Sequence, residues 1–393
     1  MARDPHCAAR LETPAGIDDP TGAPARNRYA DLRNRWDTWR ASGVLVKDDS
    51  PAFYLLQQRF SADGASYLRT VFFAEMRLYD FDEHAVIPHE RTLASALDDR
   101  FNLLSATGVN HSPIFGLFED GSSAYRSIIS AVTAGEPIAH ACGDEGVSSR
   151  LWALRHPDQI AYLRQTIAQS KVYLADGHHR YTVACAYRDA CRHAEERDGY
   201  DPTSATDHVM IALSDMRDPQ LLVRGYHRAV KTRDGFSRER FLAEARTSFY
   251  VRGGASVDDL MNVRGPAFLA VLPGGERFLL TLRGDVDLAR AIPGTHSDAY
   301  RTLDVTVLHG LIIKPCFQVD VDCRETLSRI RYSADSDELI STLERGEVDA
   351  VFIMRPTPLE SLVEIAGSGE IMPQKSTYFY PKLPTGMVFR EMR

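Results

Sequence analysis

The sequence predicts an α+β chain with two folded units, and three observations carry that reading. Strand-like runs at 52–60 and 67–79 are separated by SADGAS, whose Asp63-Gly64 pair is a hairpin signal. Residues 171–181, KVYLADGHHRY, pass from a short β-leaning apolar run through a polar turn into a helical pattern. From Ser237 the pattern begins again: an amphipathic segment, then alternating runs on either side of PGG, which mark a second α+β unit.

The elements follow in order. Residues 1–28, rich in Pro, Gly, Ala and Asp without periodicity, are expected as a disordered lead-in. Tyr29, Leu32, Trp36 and Trp39 then recur at helical spacing, with Gly43 where a C-terminal cap would stand. After the 52–79 hairpin, PHERT precedes a helical pattern ending near Thr107, and the apolar IFGLF reads as a buried strand. The helix after the polar turn places Val183, Ala186, Tyr187 and Ala190 on one face. DHVMIALSDMRDPQLLVRGYHRAV holds two further strand-like runs, so the first unit is set at 29–235 and the second at 236–393. His227 and Arg228, at the end of that stretch, read as a surface pair. FSRERFLAEARTSF is helical, GPAFLAVL and ERFLLTL form a hairpin, LDVTVLHGLIIKPCF is a helix or buried run, and SDELISTLERGEVDAVFIMRP reads as helix, turn and strand.

With 393 residues, 44% hydrophobic and 25% charged, the chain has the composition of a globular protein of two or three packed units. A net charge of −8 and a pI near 5.9 argue against nucleic acid held on a broad basic surface, and no basic helix-turn-helix segment appears. Six cysteines lack C-x-x-C spacing and the density of a secreted disulfide scaffold, so a cytoplasmic location is expected. No apolar run reaches the roughly twenty residues of a membrane helix, so no membrane partner is expected. Oligomeric state is left open.

The chemistry concentrates at the 176–180 turn. Asp176 suits an N-cap and Gly177 a sharp turn, and His178, His179 and Arg180 occupy a first helical turn where unpaired N–H groups and the dipole favour an anion. Together they describe a phosphate cradle. His89, Glu90 and Arg91 gather before the next helix upstream, where Glu90 is either a general base or a carboxylate stabilised by the helix dipole. Asn110 and His111 leave a polar corner beside IFGLF. At the far end, Lys375, Ser376 and Thr377 precede Tyr378, Tyr380 and Lys382, as part of an anion site or as an edge strand protected by lysine and proline.

PHERT with the following DDR and NHSPIF, the loop ADGHHRY with AYRD in its helix, the later DVTVLH and the terminal MPQKSTYFYPKLPTG occur in an order that resembles the family catalogued as domain of unknown function 1015. The resemblance runs from about Trp36 to Met387. Two departures stand out: no PPYDV-like segment is found near the N-terminus, and the usual PxHR is replaced by Gly225, Tyr226, His227 and Arg228. The D-G-H-H-R turn is also similar to that of free serine kinases with a ParB/sulfiredoxin-like fold.

That likeness implies a mixed-sheet, ParB-like core and a kinase that moves a phosphoryl group from ATP or ADP, with Mg2+, to the hydroxyl of a small metabolite. Free L-serine, giving O-phospho-L-serine, leads among the hydroxy amino acids. It further implies Asp176 and Glu90 as catalytic carboxylates, Gly177, His178, His179, Arg180, Lys375, Ser376 and Thr377 around the nucleotide phosphates, and His89, Arg91, Asn110 and His111 toward the substrate. No metal-ligand residues are assigned. The alternatives are a nucleotide-binding regulatory protein without catalysis and a metal-dependent hydrolase using Asp176, His178 and His179. Against the hydrolase, adjacent histidines point apart and no second cluster has zinc spacing.

Overall fold

Eight strands form one mixed sheet in the first of two units of a computed structural model, which describes residues 4–13, 25–92, 94–119, 124–143, 146–321 and 323–392. The first unit takes Met1–Pro88, Thr92–Leu221 and Pro381–Arg393; the second takes His89–Arg91 and Leu222–Tyr380. The boundary expected after residue 235 lies after Leu221 in the structure, and the last residues of the chain return to the first unit. Local pattern cannot show this, because the short strands that follow Leu221 pair with strands more than a hundred residues downstream.

The first unit begins with the helix α1 (Ala25–Ala41) and the strands β1 (Phe53–Ala62) and β2 (Ala65–Arg77). Asp63 and Gly64 both have positive φ, at 51° and 77°, which matches a tight hairpin turn. β3 (Val86–Ile87), α2 (Ala94–Thr107), β4 (Val109–Asn110) and β5 (Ile114–Phe118) follow. α3 (Ala124–Thr133), β6 (Ala139–Cys142), β7 (Ser148–Leu154), α4 (Pro157–Ala168), β8 (Val172–Asp176), α5 (His178–Ala194) and β9 (His208–Asp215) complete the run.

The sheet order is β3-β8-β5-β9-β2-β1-β7-β6. β3 with β8 and β5 with β9 are parallel, and the other neighbours are antiparallel. β5 is buried at every position, as its unbroken apolar run requires. Its neighbour β8 ends at Asp176, which lies in register with Phe115. Leu55, Phe72, Ile114, Phe118, Leu174, Tyr181 and Ile211 share the core between the sheet and its helices.

Part of the expected lead-in is ordered. Residues 8–11 form a short 3-10 helix whose Leu11, with no exposed surface, packs with Trp36, Trp39 and Val109; one well-placed leucine supplies the anchor that composition did not reveal. Residues 25–28 already belong to α1, while 1–3 and 14–24 lie outside the described residues.

The second unit starts with β10 (Leu222–Arg224), β11 (His227–Val230), the helix α6 (Arg238–Ser248), β12 (Phe249–Gly253), β13 (Ala267–Leu272) and β14 (Glu276–Leu282). A helical run over 304–317 follows, with a π-helical turn at His309–Ile313. β15 (Ile330–Ser333), β16 (Ala350–Ile353) and β17 (Tyr378–Tyr380) come last. Its antiparallel sheet has the order β12-β14-β13-β16-β11-β15, and β10 pairs with β17 as a separate ribbon. The chain is therefore α+β in both units, with a mixed sheet in the first.

Candidate functional site

β8 delivers Asp176 to the edge of the turn, and Gly177 makes the turn. Gly177 has φ +91°, and a Cβ there would stand 3.0 Å from Nε of Arg180 and 3.3 Å from the Cα of Ile114. A side chain would therefore meet both the backbone of β5 and the guanidinium. The N-cap of α5 is Gly177, not Asp176 as expected. Asp176 is the last residue of its strand, and its Oδ1 accepts the Gly177 N–H at 2.7 Å, outside the helix.

The second oxygen of Asp176 accepts a hydrogen bond from Nζ of Lys382 at 2.8 Å, and Nη2 of Arg180 stands 3.9 Å from Oδ1. Burial by itself pushes this carboxyl up. The Lys382 ammonium, then the Arg180 guanidinium and the Lys382 and Gly177 hydrogen bonds, outweigh it and hold Asp176 at about 2. Asp176 is consequently an anion at neutral pH and a weak base. Its side chain keeps 36% of its exposure and that of Lys382 47%, so both remain open to a ligand. Burial lowers the Arg180 guanidinium from its ordinary value, against the pull of Asp176. His178 is buried, whereas His179 and Arg180 are only half-buried.

Arg180 also lines a small cleft of about 50 Å³ with Arg100, Glu12, Asn110, His111 and an apolar floor that includes Leu104 and Val183. Asn110 uses its Oδ1 to accept the Met210 N–H at 3.1 Å and a donor from Arg390 at 3.3 Å, so it braces the strands. His111 is 4% exposed, packs edge-on against Trp36 and Phe389, and its Nε2 has no hydrogen-bond partner among the described residues. Burial holds this imidazole down at about 4, which keeps it neutral.

This has a consequence for acid stability. The unfolded imidazole binds a proton near 6.5 and the folded one only near 4, so native stability from His111 is full above about 6.5 and declines as pH falls toward 4. His111→Phe, which keeps the edge-on packing, is expected to flatten the fall in melting temperature between pH 6.5 and 4 seen by scanning calorimetry. An unchanged slope would show that the fall comes from other groups, such as His227.

A second group of expected residues lies within the second unit. Glu90 accepts the Lys375 backbone N–H at 2.9 Å, and Nε2 of His89 lies 3.0 Å from the Thr377 hydroxyl. Lys375 adopts φ 60°, and its ammonium stands 5.6 Å from the centre of the Tyr226 ring. Ser376 and Thr377 are buried, while Lys375 and Arg91 are exposed. The carbonyl of Lys375 accepts Nη2 of Arg228 at 2.8 Å. His89 and Glu90 are thus each hydrogen-bonded to the 375–377 segment, through Thr377 and Lys375.

His227 and Arg228, read as surface groups, are in fact buried at 9% and 1% exposure. Both lie on β11, a strand buried on each side of the sheet, and Nδ1 of His227 accepts the Met354 N–H at 3.0 Å. At Gly225, where this motif departs from PxHR, a Cβ would stand 2.1 Å from the Met354 carbonyl oxygen. Burial first, then Arg228, lowers the His227 imidazole to about 4. Among the described residues no group of three or more His, Cys, Asp or Glu side chains is placed to hold a metal ion. No described helix is long and apolar enough to cross a membrane.

Sequence reasoning missed the partner of Asp176. Lys382 is one of two lysines in the tail, and nothing in its neighbours signals a carboxylate 206 residues away. Arg100 belongs to the DDR motif but had no role assigned from sequence, and Glu12, also beside the cleft, carries no motif.

Among solved structures, a conserved hypothetical protein from Pyrococcus furiosus is similar at 14% identity and TM-score 0.38, over 80% of this chain and 93% of that one. A free serine kinase in complex with AMP is similar at 14% identity and TM-score 0.37, over 78% and 86%. SbnI with a C-terminal truncation, from Staphylococcus aureus, is similar at 10% identity and TM-score 0.38, over 80% and 85%. No curated protein matches the chain. The family described as "Protein of unknown function (DUF1015)" matches residues 1–306, well over half of the sequence, and the chain belongs to that family.

Proposed function

We propose that the protein is a nucleotide-dependent kinase that phosphorylates the hydroxyl of a small metabolite, with free L-serine as the acceptor and ATP or ADP as the donor. The observation that carries this reading is the turn from β8 to α5. A glycine at φ +91°, where a Cβ would crowd Arg180 and the β5 backbone, stands beside helix N–H groups, with Arg180 and Lys382 near one accessible carboxylate. Such a turn suits phosphate oxygens, since the backbone lets them approach and cations and helix N–H groups neutralise their charge.

The residues fit a nucleotide better than a resident metal. Magnesium commonly keeps several waters and binds through one or two carboxylates plus substrate phosphates. Asp176 is the one carboxylate of the turn, so an ion arriving on the nucleotide would find a single protein ligand there, and it would help neutralise the phosphates. The low proton affinity of Asp176 makes it an organiser of Lys382 and Arg180 and a poor acceptor of the serine proton. That step is assigned to Glu90, which is anchored through Oε1 to the Lys375 N–H.

Two measurements test the assignment. Nucleotide should raise the melting temperature by mass action, and L-serine should add to that shift. Glu90→Gln is expected to lower phosphoserine formation on the order of a hundred- to ten-thousandfold while leaving the nucleotide-induced shift intact. Turnover by Glu90→Gln at the wild-type rate would remove Glu90 as the base. Tight nucleotide binding without transfer to any hydroxy amino acid would favour a regulatory nucleotide-binding protein instead.

A further inference from the structure

One fully buried charge in the first unit belongs to no motif. Arg69, on β2, has no exposed surface, and its Nε and Nη1 have no hydrogen-bond partner among the described residues. A guanidinium that surrenders its hydration for so few bonds is costly to bury. The bonds it does make are informative. Nη2 donates to the Pro381 carbonyl at 2.6 Å and to Oε1 of Gln58, the residue directly opposite on β1. Gln58, 1% exposed, donates in turn to the next carbonyl, that of Lys382, at 3.5 Å.

One cross-strand pair therefore grips two successive peptides of the returning tail. The side chain leaving the second peptide is the lysine whose ammonium rests on Asp176 at 2.8 Å. The other face of the arrangement closes on itself. The Arg69 guanidinium lies 5.2 Å from the centre of the Phe115 ring, and Phe115 is paired with Asp176 across β5 and β8. Sheet, tail and turn thus form a closed circuit of contacts within one unit.

We propose that Arg69, acting with Gln58, is a positioning residue that seats Lys382 against Asp176. This deepens the function argued above and rests on it only for its purpose, since the geometry concerns the resting protein. Arg69 touches no phosphate in this account. It holds the tail so that the turn presents a neutralised carboxylate and a fixed cation to the nucleotide. The charged groups that face Asp176 are Lys382 from the tail and Arg180 from α5, with the Gly177 N–H from the turn.

The test follows the Asp176 carboxyl directly, in the full chain labelled with 13C at aspartate carboxyls and assigned with Asp176→Asn. In the wild type this resonance should stay flat from pH 7 to 3. In Lys382→Met a titration step should enter that window, displaced upward by about one pH unit or more, the usual effect of losing an adjacent opposite charge. Arg69→Met and Gln58→Leu should reproduce the displacement although Lys382 is intact, and Arg69→Lys, which keeps a donor for Pro381, should restore part of it. Gln58→Leu removes no charge, so its displacement reports position and not a changed field.

A step that moves in Lys382→Met but in neither Arg69→Met nor Gln58→Leu would overturn the proposal. So would failure of both variants to fold, which would make the pair part of the core alone. Nucleotide enters nowhere in this readout, so a wild-type protein that binds no nucleotide would refute the kinase reading while leaving the positioning result to stand.

Discussion

Asp176→Asn is expected to abolish detectable phosphoserine formation, with a loss on the order of a hundred- to a thousandfold or more, the scale seen when one preorganised electrostatic group is removed from a transition-state site. The change is almost isosteric, so the turn should keep its shape. What it removes is the charge on which Lys382 bonds at 2.8 Å and toward which Arg180 leans. Both cations then lose the partner that fixes their direction, and their repulsion is no longer balanced.

The same variant carries a signature in acid. The carboxyl releases its proton near 3.8 in the unfolded chain and at about 2 in the folded one, so its stabilising pairing is complete above about 4 and is lost as pH falls toward 2. The gap in melting temperature between wild type and Asp176→Asn should accordingly be open at pH 7 and closed near pH 2. A variant that retains wild-type turnover would show that the carboxylate plays no part in the chemistry.

Gly177→Val is expected to be the most damaging single substitution at the turn. A φ of +91° is hostile to any β-branched side chain, and strain of this kind costs about 1–3 kcal/mol. Steric conflict adds to it, because the new Cβ would press on the Arg180 guanidinium at 3.0 Å and on the β5 backbone at 3.3 Å. Since 1 kcal/mol moves the melting temperature of a 150–250-residue domain by about 2–4 °C, calorimetry should show a drop of several degrees. Nucleotide binding should fall further than stability, as Arg180 is displaced. A folded Gly177→Val protein that binds nucleotide normally would show that neither the close approach nor the direction of Arg180 matters.

How much of this could be read from the residues depended on how local its cause was. The Asp63-Gly64 hairpin, the buried IFGLF strand and the strand-to-helix passage at Gly177 were legible because turn chemistry and periodicity act over a few residues. The capping role given to Asp176 was misplaced by one position, since a left-handed glycine at the N-cap frees the carboxylate for other partners. His227 and Arg228 were misread because a short His-Arg pair in a strand looks like surface until β15 and β16 are known to flank it. Arg69 was invisible for the same reason: its partner at Pro381 lies 312 residues away, and a polar residue in an alternating strand ordinarily faces water.

The candidate residues of each unit divide along the same line. Asp176, Gly177 and Arg180 announced themselves as a turn, and Glu90 with Lys375 could be named from motifs. Their hydrogen bonds, though, join segments 285 residues apart for Glu90 and Lys375. Only tertiary structure supplies such pairings, and with them the assignment of Asp176 as an ion-paired organiser.

The central claim is that the turn holds a nucleotide whose phosphoryl group passes to a free hydroxyl. It is tested most directly by 31P NMR of the purified chain with magnesium, L-serine and either ATP or ADP. The account predicts a phosphomonoester resonance that grows as the nucleotide is consumed and coincides with added O-phospho-L-serine, and that is absent with Asp176→Asn. Nucleotide that remains intact, or that is consumed to inorganic phosphate alone across a panel of hydroxy amino acids, would contradict it.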